Sequence, residues 1–126
     1  MYKRNLQITF AVKRVRQVVA YREFFLDFLN SLPERLQNKV FKVIEIIETI
    51  ERVPEKYLKR IRGTSNLYEA RIQLGKNIWR VFCFFDEDRL VILLNGFVKK
   101  SNKTPKKEIA KALSLQKDYY NEKPGR

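Results

Sequence analysis

Arg71 and Arg80 are the residues of this chain that speak most directly about chemistry. Both sit inside apolar, strand-like runs, Leu67–Leu74 and Ile78–Phe85, rather than at their ends. A turn centred on Gly75-Lys76 sets Arg71 directly across from Arg80 on one face of a hairpin. Like charges so placed destabilise a strand pair by up to about 1 kcal/mol. The arrangement makes sense if an anion such as a phosphate belongs between them. Lys99, Lys100 and Lys103 follow from the end of the next apolar run and can converge on the same anion. A structural reading stands beside this one: Glu69 is close enough in sequence to pair with one of the arginines.

Three strands must position these groups. In Leu67–Leu74, Tyr68, Ala70 and Ile72 go to one face and Glu69 and Arg71 to the other. In the second run Trp79, Val81, Cys83 and Phe85 share a face, opposite Ile78, Arg80, Phe82 and Phe84. A two-residue loop at Glu87-Asp88 would bring Asn95 opposite Arg80, giving a row Arg71, Arg80, Asn95. On that register Arg80 lies away from the apolar face, so its loss should leave no core cavity. Phe82 and Phe97 fall on the charged face, where they could stack on bases or meet a partner protein.

The remaining elements read as scaffold. Residues 6–12 alternate apolar and polar, and a second extended run spans Arg16 to Tyr21. Phe24, Phe25, Phe28 and Leu29 take helical spacing. Ser31 with Glu34 suggests a capping box that starts a helix, with Leu36, Val40, Phe41, Val43, Ile44, Ile47 and Ile50 as its apolar stripe, ending before Pro54. Residues 55–66 form a basic connection that includes Lys59 and Arg62. Thr104 as N-cap and Pro105 as the first helical residue open a last helix to about Tyr120, burying Ile109 and Leu113. Lys106 and Lys107 in its first turn read equally as solvated surface.

Composition narrows the function classes. The chain has 126 residues, enough for one domain with an ordinary core, and its 44% hydrophobic content argues against disorder. A net charge of +13 points to polyanions or an acidic protein as partners. Residues 59–126 hold 16 basic and seven acidic residues, whereas residues 22–58 are nearly balanced. With one cysteine, Cys83, and no histidine, a disulfide framework, a Ser-His-Asp triad and the usual metal sets are excluded. No cofactor is expected. No signal peptide and no membrane-length apolar run is present, so the expected location is the cytoplasm.

Four segments together carry a resemblance: Leu67-Tyr68-Glu69-x-Arg71-Ile72, Trp79-Arg80-Val81-Phe82-x-Phe84-Phe85, Leu94-Asn95-Gly96-Phe97-x-Lys99-Lys100, and Lys103-Thr104-Pro105-x-Lys107-Glu108-Ile109. They resemble the RelE/ParE toxin superfamily, most nearly its HigB-type branch with phage-related members. The resemblance covers about residues 16–120, leaving 1–15 as an N-terminal extension and 121–126 as a tail of a single domain. It implies an α+β fold: an antiparallel sheet of about four strands, an N-terminal helical hairpin on one face, and a C-terminal helix. It implies the toxin of a toxin–antitoxin pair, with a small helix-turn-helix antitoxin, the ribosome and mRNA as partners. Many relatives cut mRNA in the ribosomal A site without a metal. Carried onto this chain, the expected catalytic residues are Arg71, Arg80, Lys99, Lys100 and Lys103. The expected RNA-binding residues are Lys59, Arg62, Phe82, Asn95, Phe97, Lys106 and Lys107. Some HigB-type relatives place a histidine near the C-terminal end; here a lysine would have to serve. Two alternatives stay open: a ParE-like inhibitor of DNA gyrase, and a basic binding module without catalysis.

Overall fold

The computed structural model describes residues 13–99 and 105–124, with Lys99 described by its backbone alone. Its elements are β1 (Gln17–Ala20), α1 (Phe24–Asn30), α2 (Glu34–Thr49), β2 (Leu58–Arg60), β3 (Tyr68–Leu74), β4 (Asn77–Asp86), β5 (Leu90–Lys99) and α3 (Lys106–Glu122). They form an α+β domain around one five-stranded sheet, ordered β1-β5-β4-β3-β2. The sheet is mixed rather than antiparallel, and it has one strand more than expected. The extended run before Tyr21 enters as β1, parallel to β5, pairing Gln17 with Leu90 and Ala20 with Leu93. The extra strand, β2, is a three-residue segment inside the basic connection, held to β3 through Leu58↔Ala70 and Arg60↔Tyr68. Three residues carry too little alternation to be read as a strand. The alternating run at 6–12 lies outside the described residues.

Helix α2 forms where the apolar stripe predicts, and it buries Leu36, Val40, Val43 and Ile47; Phe41, one position round the helix from Val40, and Ile50, at the C-cap, belong to the expected stripe but are exposed. The capping box does not form: Pro33 is the N-cap, without a side-chain bond, and the Ser31 hydroxyl donates back to the Phe28 carbonyl. Ser31 instead ends α1. The other end of α2 is closed by Arg16, whose guanidinium donates to the carbonyls of Ile47 (2.9 Å) and Ile50 (2.7 Å). A cation there offsets the partial negative charge of exposed carbonyls. For α3, Pro105 is the N-cap rather than the first helical residue, and Thr104 lies outside the described residues.

Both faces of the sheet are covered. Against α1 and α2 pack Ala70, Ile72, Val81, Cys83, Val91 and Leu93, with Phe25, Leu29 and the α2 stripe. Against α3 pack Phe82, Phe84, Ile92, Leu94 and Phe97, with Ala112 and Leu115. Leu113 is not part of this core; it is 40% exposed, because α3 turns Ala112 and Leu115 inward instead. Gly96 permits the closest contact of the first face. A Cβ at that position would meet the Phe28 ring at 2.5 Å, so only glycine lets α1 seat there.

The C-terminal half of α3 is clamped to the rest of the molecule. Tyr119 donates to the buried Asp86 carboxylate (2.6 Å), and Lys123 reaches the same group (2.9 Å). Tyr21 and Arg22 both bind Glu122. The two phenols are pushed up to about 12, in each case first by burial and then by the hydrogen bond to a carboxylate. No helix among the described residues is long and apolar enough to cross a membrane.

Candidate functional site

Strand β3 meets β4 through a tight turn in which Gly75 takes a φ of 63°, a left-handed conformation that glycine adopts without steric cost. Arg71 and Arg80 are register partners across that hairpin, as the sequence predicts. The next position in the row is Phe97, not Asn95. Two local features move the register. The β4–β5 connection has three residues, with Asp86 paired to Leu90 and Glu87 at a φ of 64°. A β-bulge between Val81 and Cys83 then sets Leu94 and Asn95 opposite Phe82. The bulge turns Asn95 and Phe97 to the face that carries Arg80, a re-aiming that bulges commonly produce beside functional groups.

Arg80 is far from an exposed phosphate ligand. It is 1% exposed and forms an ion pair with Glu69, itself 4% exposed. The expectation that its removal would spare the core is therefore corrected: Arg80 is among the largest fully buried side chains of the molecule. Removing one partner of a buried pair costs about 3–5 kcal/mol, because the other charge is left uncompensated. Burial, and then the positive charge of Arg71, holds the Arg80 guanidinium below its ordinary range, while Glu69 opposes both. Arg71 is half-buried, and its terminal nitrogen lies 3.4 Å from the Glu55 carbonyl, at the limit of a hydrogen bond.

The cluster is incompletely satisfied. Among the described residues, the buried side-chain atoms without a hydrogen-bond partner are Glu69 Oε2, Arg71 Nε, Arg80 Nε and Asn95 Oδ1. All four belong to this one patch of the sheet. Buried polar atoms are ordinarily paired, since each orphan costs about 1–3 kcal/mol. The amide of Asn95 reaches Glu108 on α3 only through long contacts, 3.3 Å to Oε1 and 3.4 Å to the main-chain oxygen. The site therefore joins two carboxylates, two guanidiniums and an amide. Sequence reasoning treated Glu69 only as a salt-bridge partner and gave Glu108 no role. The signal for Glu69 was its parity with Arg71, which fixes it to the same face.

The other expected residues divide. Lys59 is exposed and shares the face of its register partner Glu69. Arg62, Lys106 and Lys107 are exposed. Phe82 and Phe97 are buried beneath α3, their rings stacked at 5.2 Å, so neither presents a ring to a nucleobase; α3 covers the face that was expected to be open. Lys99 ends β5 opposite Ile78, and Lys100 and Lys103 lie outside the described residues. Among the described residues, no group of three metal-binding side chains occurs.

This geometry can be set beside known proteins. The family model for the phage derived protein Gp49-like (DUF891) matches residues 27–117. A search of curated proteins finds no match. Among solved structures, the fold is similar to a chain of the archaeal RelE–RelB complex of Pyrococcus horikoshii OT3, at 24% identity and a TM-score of 0.51, covering 68% of this chain and 97% of that one. A chain of the RelB–RelE antitoxin–toxin complex of Methanococcus jannaschii also matches, at 21% identity and a TM-score of 0.48, over 69% of this chain and 99% of that one. Since the family model spans residues 27–117, most of the sequence, the chain belongs to the Gp49-like (DUF891) family, and its fold is RelE-like.

Proposed function

We propose that this protein is the toxin of a type II toxin–antitoxin pair, of the HigB type, and that it cleaves mRNA on the ribosome without a metal. The observation that carries this reading is the confinement of the orphaned buried polar atoms to one arginine-centred cluster. Stability alone does not favour leaving four such atoms unpaired in one place. A ligand with acceptor oxygens completes the arginines, and an adjacent hydroxyl completes the free carboxylate oxygen.

The chemistry follows from those groups. The ribose 2′-OH attacks the adjacent phosphorus, the bond from phosphorus to the 5′-oxygen breaks, and the products are a cyclic 2′,3′-phosphate and a 5′-hydroxyl. Arg71, the half-buried member, meets the phosphate first, and Arg80 holds the negative charge that develops in the transition state. The proton of the 2′-OH passes to Glu69 Oε2, which of the two acceptors left without a partner among the described residues is the one able to take a proton. A lysine of the group Lys99, Lys100 and Lys103 gives a proton to the leaving oxygen. Binding on the ribosome supplies orientation, which can be worth about 7–11 kcal/mol. The partners on this reading are mRNA, the ribosome and an antitoxin of helix-turn-helix type.

A translation reaction assembled in vitro tests it. Discrete mRNA cuts that require ribosomes and vanish when the pair is replaced as a unit, Arg80→Met with Glu69→Leu, in a variant that denaturation shows to be folded, are the expected outcome. Breaks in DNA that depend on gyrase, with mRNA intact, would replace this reading with a ParE-like one. Neither kind of break would leave a basic binding module.

A further inference from the structure

A second concentration of positive charge lies on the other side of β3. Between α2 and the exposed stretch of β3 beyond β2 is a cavity of about 830 Å³, lined by Arg35, Lys39 and Lys42 of α2, by Lys56, and by Arg71. No carboxylate lines it. Arg35, Lys39 and Lys42 follow at helical spacing, so they project along one face of α2. All three are exposed, as is Lys56. Two of the apolar floor residues, Val43 and Ile72, are already consumed by the core beneath and offer little area to an apolar anchor. Glu45 and Glu48 leave this face to the cations.

We propose that this groove holds phosphates of the RNA strand that passes through the arginine cluster, flanking the bond to be cut; the inference rests on the RNA reading given above. Continuity carries it. Arg71 is at once the register partner of Arg80 and a wall of the groove. It sits where β2 ends and the sheet edge opens, with its side chain reaching toward Glu55. A backbone that leaves Arg80 past Arg71 reaches the groove only by rounding the open sheet edge, where the Arg71 N–H meets the Tyr57 carbonyl and β2 ends. From Arg35 to Lys42 the helix advances about 10 Å, so the three cations stand about 5 Å apart in one line along the groove. Such a row suits a chain of anions better than a single one. Two amides, Asn38 and Gln73, stand among the cations, and the charged contacts are of the phosphate kind that positions a strand without reading its sequence.

The test is the salt dependence of binding to single-stranded uridine oligomers of increasing length, with the full chain. The comparison is between the parent, Lys39→Gln/Lys42→Gln, and a control of equal charge, Lys13→Gln/Lys117→Gln, whose side chains are exposed outside the groove. Each phosphate contact contributes a slope of about 0.7 in log affinity against log salt for a single strand. The groove variant should lose about 1.4 of slope on long strands and gain less than the parent as strands lengthen, while the control keeps both. An unchanged slope overturns the proposal. So does a loss confined to ribosomes, which would make the groove a ribosomal RNA contact, and so does a loss confined to polyglutamate, which would make it a seat for an acidic protein. Cutting of mRNA by the parent is scored separately. Its absence with a groove-dependent slope refutes the nuclease and keeps the groove; its presence with an unchanged slope does the reverse.

Discussion

The two faces of the sheet are built on different terms. The face under α1 and α2 is dry: Ile47, Ile72, Val81, Cys83 and Val91 are buried against hydrocarbon, and the Phe28 ring lies flat on Gly96. The face under α3 has a comparable apolar half, around Phe84 and Leu115, and beside it a buried ion pair with four unpaired polar atoms. One face minimises free energy by area. The other retains groups that hydrophobic replacement would serve better for stability alone. On the proposed reading, chemistry belongs to the second face and mechanical support to the first.

The sharpest way to break that comparison is to replace the pair as a unit. Arg80→Met with Glu69→Leu should hold stability or raise it by about 1–4 kcal/mol, while growth arrest is lost; removing one transition-state donor typically costs about 10²–10³ in rate. Chemical denaturation and growth curves at matched expression measure the two effects. If the double replacement unfolds the protein, the pair is structural and the functional reading of the cluster falls. Arg80→Ala alone is expected to lose about 3–5 kcal/mol, so its loss of toxicity by itself would prove nothing.

On the dry face, Ile47→Ala should cost about 2–5 kcal/mol through the cavity it leaves. In the surviving folded fraction, mRNA cutting per molecule should be unchanged. A fall in that specific rate would mean the two faces are not separable. Gly96→Ala should cost less, about 1–3 kcal/mol from overpacking, since the new methyl meets the Phe28 ring at 2.5 Å. Gly96→Ala with Phe28→Leu should recover part of that loss, and no recovery would place the strain elsewhere.

The mildest contrast comes from pH. Tyr21 and Tyr119, which clamp α3, titrate near 12 when folded against an ordinary 10. Their contribution is complete below pH 10 and is lost as pH rises toward 12. Cys83, pushed to about 12 by burial, adds in the same direction. The thermal midpoint should therefore decline across pH 10–12, and Tyr119→Phe should flatten the decline. An identical decline in that variant would assign the effect to Cys83 or to Tyr21.

The sequence carried some of this and hid the rest for physical reasons. The β3–β4 register was legible because Gly75 fixes a tight turn and alternation on both sides is unbroken. The β4–β5 register was not, because a non-glycine residue, Glu87, takes the left-handed position and the bulge at Phe82 leaves no mark in composition. β1 and β2 are short, and parallel pairing of β1 with β5 joins segments with no local signal between them. Within the site, the facing arginines could be placed, but the burial of Arg80 could not. It follows from α3 covering the face, and the pattern of α3 was itself misjudged at Leu113. The free carboxylate oxygen of Glu69 is a property of side-chain packing, on which spacing is silent.

The parallel pairing of Gln17–Ala20 with Leu90–Leu93 also sets a clock on synthesis. The hairpins of β3, β4 and β5 need only neighbouring chain and can close quickly, whereas non-local pairings close slowly. β1 must wait at the ribosome exit until residues beyond Leu93 have emerged. Arg71 and Arg80 are made before that point, yet α3, which finishes their surroundings, comes after it. A nascent chain on its own ribosome thus holds both arginines before it holds the fold that organises them.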